Sequence, residues 1–272
     1  MTVYAASYDL ENVDLCIPGA AKLVEIHRKH EMPATFFCVA SVVEKRGEEL
    51  KAIFGDDPLI DVQSHTYYHR MLRDHLVHGP GIPVEELWVE VGKAADYIGE
   101  VFGTRPIGMR SGCGFEHGMK GEPERLKVIA ACGMEYISTQ LRGPYETIPS
   151  PFVDAYTYEA DGFPEVWEFP TAGWHDNVLK GYGAHPTMFP GIYPFALPAG
   201  PVTNAREDFE AAKPWVDYAM EQGKAYVGLC YHPWSLYTLD PECGTIDLML
   251  AYAKSIGMEG VSYTELYRRT KG

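Results

Sequence analysis

Short β-rich runs alternate with helical hydrophobic patterns along most of the chain, which is typical of parallel strands joined by helical crossovers. The strands are predicted at 3–9, 35–40, 59–64, 107–110, 134–139, 166–170, 225–231 and 260–263. The helices are predicted near 16–31, 41–53, 83–102, 123–132, 204–222 and 245–256. No G-x-G-x-x-G turn follows the first strand, so the pattern favours a TIM-like α/β barrel over an open doubly wound sheet. We expect residues 1–272 to form one domain.

Two loops interrupt this alternation, at 111–122 and at about 175–203. Loops of this length in a compact domain are usually lids or binding surfaces. We therefore expect both to border a functional site.

Composition limits the class of partner. With 38 acidic and 23 basic residues the formal net charge is -15, which disfavours nucleic acid and anionic membranes. The N-terminus lacks the pattern of a secretion signal and no stretch is apolar enough to span a membrane, so we expect a cytoplasmic protein. The six cysteines have no C-x-x-C spacing, and we expect reduced, structural thiols. The sequence leaves homo-oligomer formation open.

The stretch DVQSHTYYHRM places His65 and His69 four positions apart, just after the predicted third strand. Such a pair is a metal-ligand spacing, but it also arises when a helix's first turn carries two imidazoles. Spacing alone does not decide between these interpretations.

Other chemically capable residues end other predicted strands. Asp9 and Glu11 follow one another at strand spacing after the first strand, so they would face the same side. Arg110 ends the fourth strand and His232 the seventh. In a parallel barrel these ends meet on the active face.

Two imidazoles and one carboxylate suffice for a divalent cation with open coordination positions, which suits hydrolysis. Zn²⁺ is the default ion, and Co²⁺, Ni²⁺ or Mn²⁺ are alternatives. A second carboxylate could accept a proton from water, and a histidine across the site could protonate a leaving group.

The segments SYDLEN, HTYYH, RSGCG and LCYH, in this order, resemble the motifs of the polysaccharide deacetylases, the NodB-homology proteins of carbohydrate esterase family 4. MPATFFCVASVVE and TELYRR resemble further family segments. The resemblance implies an irregular (β/α)7 barrel and a metal-dependent amide hydrolase that deacetylates an amino sugar or a related carbohydrate.

Carried over by position, the resemblance implies roles for individual residues. Asp9 would be the catalytic base, Arg110 the arginine that orients it, and His232 the general acid. The implied metal ligands are Glu11, His65 and His69, with Glu11 replacing an acid that the family usually has at the position of Leu10.

Three departures affect the substrate more than the hydrolysis. Leu10 replaces an acid, RSGC replaces R-x-P-Y, and Ile137 stands where an acidic partner of Arg110 or of the catalytic histidine is expected. A small-molecule ureide or cyclic imide hydrolase of the same fold, with or without a metal, is therefore an alternative. A non-catalytic carbohydrate-binding relative is another.

Aromatic residues near the predicted site are candidates for stacking on a sugar, but a barrel of this size also needs aromatics in its core. We predict substrate contacts for Trp234, Tyr68 and Trp174. The remaining histidine pairs are expected at the surface, with His75 and His78 in a solvated turn and His27 and His30 on the first helix.

Overall fold

The fold is α/β, and its strands and helices alternate as the sequence predicts. The computed structural model describes residues 1–182, 191–196 and 198–272. The strands are β1 Val3–Tyr4, β2 Ser7–Leu10, β3 Ala34–Cys38, β4 Ile60–Ser64, β5 Gly108–Phe115, β6 Tyr136–Gln140, β7 Tyr156–Tyr158, β8 Phe163–Glu168, β9 Tyr226–Val227 and β10 Cys230–Tyr231. The helices are α1 Cys16–His30, α2 Ala40–Phe54, α3 Ala94–Phe102, α4 Pro123–Ala131, α5 Asp176–Leu179, α6 Ala205–Glu221, α7 Pro233–Leu239, α8 Gly244–Ser255 and α9 Tyr263–Lys271.

The main sheet runs in the order β10-β2-β3-β4-β5-β6-β8-β7. Its pairs are parallel except for β7, which runs antiparallel to β8. β1 pairs with β9, so the first and last strand regions are neighbours. Among the described residues only single contacts join the β8 end to the last strand, such as Ala172 N to Gly228 O at 3.3 Å. The barrel is therefore irregular, and its ring of hydrogen bonds is not closed.

Strand alternation separates an apolar outer layer from a polar interior. In β2, Tyr8 and Leu10 belong to the large apolar cluster that also holds Leu23 of α1 and Phe36 of β3. The intervening Asp9 is just as buried, at 3% exposure, but it pairs with a basic side chain. The interior of the barrel is thus where the charged chemistry lies.

Several predicted boundaries need correction. The strand predicted at 260–263 is wrong: Gly260 makes one bridge to Tyr4, and α9 begins at Tyr263. The loop predicted at 111–122 is strand as far as Phe115. The second predicted loop contains α5, and its positions 183–190 and 197 lie outside the described residues.

Two histidines expected at the surface are buried. The ring of His27 lies between the Tyr8 hydroxyl and the carbonyl oxygen of Met32, at 2.7 Å from each. The His75 ring accepts hydrogen bonds at Nδ1 from the backbone N–H groups of Val77 and His78. Both imidazoles are hydrogen-bonded to neighbouring groups of the protein instead of facing solvent.

No helix in the described ranges has the length and apolar character that a membrane crossing requires.

Helix α1 lies directly against the first turn of α7, next to His232. A β-carbon added to Gly19 would stand 2.5 Å from the carbonyl oxygen of Pro233, which is closer than real β-carbons come. Because Gly19 has no side chain, α1 can pack closely against the segment that follows His232.

We predict that Gly19→Ala destabilises the protein despite the better helix propensity of alanine. Overpacking against backbone costs typically about 1–3 kcal/mol, which outweighs a propensity gain of up to about 1 kcal/mol. Urea denaturation followed by circular dichroism measures the change. Gly200→Ala is the control, because no atom of a non-adjacent described residue lies within 4 Å of the added carbon there. Equal stability of the two variants would contradict the contact.

Candidate active site

A buried ion pair occupies the centre of the barrel. Nη1 of Arg110, on β5, donates to Oδ1 of Asp9, on β2, at 2.8 Å. The guanidinium also lies 4.2 Å from the centre of the Phe37 ring. Burial raises the pKa of Asp9, but Arg110, His65 and His232 together outweigh burial and hold the pKa of that carboxyl below its ordinary value. Asp9 is therefore an ionised carboxylate whose second oxygen, Oδ2, is not used by Arg110.

Glu11, His65 and His69 converge beside this pair. One ligand atom from each lies within 4.8 Å of the other two. Glu11 follows β2 by one residue and His65 directly follows β4. The turn after His65 passes through left-handed backbone at Thr66 and His69, with φ of 65° and 60°. This turn returns the second imidazole to within 3.0 Å of Oε2 of Glu11.

The tautomer of His65 is fixed by its surroundings. Its Nδ1 lies 3.0 Å from the carbonyl oxygen of Arg110, which can only accept a hydrogen bond, so the ring proton is on Nδ1. Burial lowers the pKa of His65 to about 4, which keeps the ring neutral. Nε2 therefore carries a lone pair. Within the described chain this buried atom has no hydrogen-bond partner.

The lone pair of His65 faces negative charge. Nε2 lies 3.8 Å from Oδ2 of Asp9 and 3.9 Å from Oε2 of Glu11. A lone pair opposite two carboxylate oxygens is repulsive unless a cation lies between them, and a divalent ion takes such N and O ligands. The hydrogen bond at the far ring nitrogen is also usual for a metal-bound histidine. The residues present fit a divalent cation.

His232 approaches from the opposite side of Glu11. It follows β10, and its Nε2 lies 3.9 Å from Oε1 of Glu11. Its Nδ1 lies 2.6 Å from Oδ1 of Asp176. Burial alone would lower the pKa of His232, but the Glu11 and Asp176 carboxylates raise it to about 9. The ring is thus a cation held by a buried acid.

From Ile137, the sequence suggested that an acidic partner of Arg110 or of the catalytic histidine is missing. Asp176 corrects this expectation. The acidic partner of the histidine is present, but it comes from the first residue of α5, beyond β8. The segment FPTAGWHD begins at the carboxyl end of β8 and ends at Asp176. Asp176 therefore comes after a strand, as the predicted site residues do. Sequence reasoning missed Asp176 because it assigned position 176 to a long loop.

A buried lysine extends this chain of charges outward. Nζ of Lys180 lies 2.8 Å from Oδ2 of Asp176 and 3.0 Å from Oδ2 of Asp208 on α6, and its side chain has no exposed surface. Asp208 also accepts a hydrogen bond from the Thr245 hydroxyl at 3.0 Å. The sequence showed no pattern that links Lys180 or Asp208 to the site.

The predicted aromatic residues occupy different environments. Nε1 of Trp234 donates to Oε1 of Glu11 at 2.9 Å, so this indole orients a candidate metal ligand. Tyr68 is 52% exposed. Trp174 is 5% exposed and packs edge-on against Trp215, 6.1 Å between ring centres. Substrate contact by these three residues stays a prediction.

A sequence profile described as polysaccharide deacetylase matches residues 16–137. This range includes the histidine pair and Arg110, whereas Asp9, Glu11 and His232 lie outside it. Curated protein sequences give no match.

Solved structures share the fold across nearly the whole chain. A protein assigned as a polysaccharide deacetylase from Mycobacterium smegmatis superposes with a TM-score of 0.69 at 17% identity, over 99% of this chain and 90% of that one. PuuE allantoinase gives a TM-score of 0.63 at 16% identity, over 92% of this chain and 71% of that one. A carbohydrate esterase family 4 pseudoenzyme from Bacillus anthracis gives 0.56 at 14% identity, over 97% and 66%. At these identities the likeness shows the fold. The profile match and the shared fold together confirm the resemblance to the polysaccharide deacetylases that the sequence motifs indicate.

We predict that Lys180→Met destabilises the protein by about 3–5 kcal/mol, the usual cost of breaking a buried ion pair. The substitution leaves Asp176 and Asp208 buried without the positive charge between them. Thermal and urea denaturation at neutral pH measure the loss. Lys213→Met is the matched control, because its helical pair with Asp217 is partly exposed and such pairs contribute about 0.3–0.5 kcal/mol. Similar losses in both variants would contradict the role of Lys180.

Proposed function

We propose that this chain, which resembles the polysaccharide deacetylases in sequence profile and fold, is a metal-dependent hydrolase of amide C–N bonds. The substrate is an N-acetylated amino sugar or a related carbohydrate, and residues 1–272 act as one catalytic domain. The observation that carries the proposal is the neutral His65 ring, whose lone pair faces the carboxylates of Asp9 and Glu11.

Glu11, His65 and His69 would hold the ion, and Zn²⁺ suits this ligand set, as do Co²⁺, Ni²⁺ and Mn²⁺. When bound, such an ion polarises the amide carbonyl and lowers the pKa of water from about 16 toward about 7. The chain contributes the orientation of the ligands. Arg110 fixes the His65 tautomer through its carbonyl oxygen, and Trp234 fixes Glu11 through the indole N–H.

Asp9 is positioned to act as the general base. Arg110 keeps Asp9 ionised and occupies Oδ1, so Oδ2 is left to accept the proton of the attacking water. Oδ2 lies 3.8 Å from Nε2 of His65, on the side where the ligands converge. A base within hydrogen-bond reach of the reacting water commonly contributes about 10²- to 10⁴-fold to the rate.

His232 is positioned to act as the general acid. Asp176 holds Nδ1, so Nε2 is the nitrogen that faces Glu11 and the reacting groups. The raised pKa keeps the ring protonated at neutral pH, so Nε2 can donate its proton to the departing nitrogen. Base and acid therefore flank the ligand cluster and are held by separate partners, Arg110 and Asp176.

We predict that two substitutions separate metal binding from proton transfer. His65→Ala should lose both the metal and turnover, because it removes a ligand. His232→Ala should keep the metal and lose about 10²- to 10⁴-fold in kcat, as expected for a missing general acid. Metal content is measured by elemental analysis, and turnover by acetate release from a panel of N-acetylated amino sugars. His117→Ala is the control, because that side chain is 67% exposed.

The same assays test the alternatives. Full metal content in His65→Ala would contradict the ligand set. A cofactor-free ureide or imide hydrolase would hydrolyse allantoin-like substrates after exhaustive chelation. A carbohydrate-binding relative without activity would bind the metal and the sugars but release no acetate from any member of the panel.

A further inference from the structure

We infer that Asp9, Cys230 and His232 form a second, weaker site for a soft divalent cation, such as Zn²⁺ or Co²⁺, whose occupation blocks proton transfer. The inference rests on the proposed function for the identity of the first site and for the roles of Asp9 and His232. The new residue is Cys230, the first residue of β10, which the proposed reaction does not use.

The three side chains converge closely enough to share an ion. One ligand atom from each lies within 4.8 Å of the others. Sγ of Cys230 lies 3.4 Å from Oδ2 of Asp9. Ligand atoms of a tetrahedral ion with bonds of about 2.0–2.3 Å are about 3.3–3.8 Å apart. The sulfur–oxygen separation already matches this value.

Each ligand is oriented by a partner that leaves its binding atom available. Arg110 occupies Oδ1 of Asp9 and leaves Oδ2. Asp176 accepts from Nδ1 of His232 and leaves Nε2, the carboxylate–histidine arrangement that is usual behind metal-bound imidazoles. Cys230 is held by the parallel pairing of β10 with β2, where it is in register with Ser7.

The thiol determines which cations bind. Thiolate sulfur selects soft or borderline ions such as Zn²⁺ and Co²⁺ over Mg²⁺ and Ca²⁺. Burial holds the pKa of the Cys230 thiol well above its ordinary value. On binding, the S–H bond of Cys230 and the Nε2–H bond of His232 break, bonds from sulfur and nitrogen to the metal form, and two protons pass to solvent, so the exchange needs no oxidant.

Charge makes this the weaker site. The Arg110 guanidinium pairs with Oδ1 of Asp9, and a cation held by His65 would lie near Oδ2 of the same carboxylate. Both repel a second divalent ion, and its binding must also displace the protons of Cys230 and His232. Occupation engages Oδ2 of Asp9, which Arg110 does not use, and removes the Nε2 proton of His232. The metal that activates the enzyme would therefore inhibit it in excess.

The test is an anaerobic titration of the full, metal-free chain with Co²⁺. Equilibrium dialysis counts the bound ions, and absorption spectra distinguish their ligands, because only a thiolate gives an intense sulfur-to-cobalt band in the near ultraviolet. We expect two equivalents, with this band rising during the second. In Cys230→Ser the band should fall to background and one equivalent should remain. Cys113→Ser is the matched control, because Cys113 is partly exposed near Glu11.

The outcomes separate this inference from the proposed function. One equivalent without the sulfur band would overturn the second site and leave the first intact. A band that survives in Cys230→Ser, or disappears in Cys113→Ser, would also overturn it. A Cys230-dependent band with one equivalent in total would support the thiol ligand and contradict Glu11, His65 and His69 as ligands. Circular dichroism verifies folding, and Cys230→Ala replaces the serine variant if that fails to fold.

Discussion

A guanidinium with no access to water at the centre of the barrel constrains most of the site. Arg110 has no measurable exposure, and a buried charge is tolerated only when it is paired and hydrogen-bonded. It reaches Asp9 on β2, Ser138 on β6 and Thr171 beyond β8, and it stacks on Phe37 of β3. One side chain thereby ties together four parts of the barrel. The same interaction keeps Asp9 ionised, which a catalytic base requires.

The net charge of the interior explains the protonation of its histidines. Four carboxylates, those of Asp9, Glu11, Asp176 and Asp208, are accompanied by two basic side chains, Arg110 and Lys180. With neutral imidazoles the cluster has two more negative than positive charges, and the protonated ring of His232 reduces this excess to one. The raised pKa values of His69 and His232 follow from this excess, because both rings gain stability from nearby carboxylates when protonated. His65 differs, because burial lowers its pKa more than Asp9 raises it.

Sequence reasoning located the residues at strand ends and missed those that the loops supply. Asp9, His65, Arg110 and His232 each follow an apolar run, and parallel strands place such ends together. Asp176 also follows a strand end, but its position was assigned to a long loop. Lys180 and Asp208 belong to segments whose position depends on how that connection folds back, which local periodicity does not encode. The strand predicted at 260–263 was wrong for a related reason. Its apolar residues fit a strand, but Ser262 caps α9 through a hydrogen bond from Glu265 N, so the chain turns into a helix.

The altered third motif, RSGC, packs against the turn that carries His69, a proposed metal ligand. A β-carbon at Gly112 would stand 3.1 Å from the His69 ring, so a larger residue there would crowd the turn that brings His69 to Glu11. The next residue, Cys113, adopts left-handed backbone with φ of 61°, and its carbonyl oxygen accepts from Nε of Arg142 at 2.8 Å. Arg142 is 1% exposed and has no carboxylate within 4.0 Å among the residues that the structure describes. By position, Gly112 and Cys113 stand where R-x-P-Y has proline and tyrosine, and the buried Arg142 lies behind Cys113. Backbone and a small thiol therefore border the candidate site next to His69, and they form a different surface from the one that a tyrosine ring would provide.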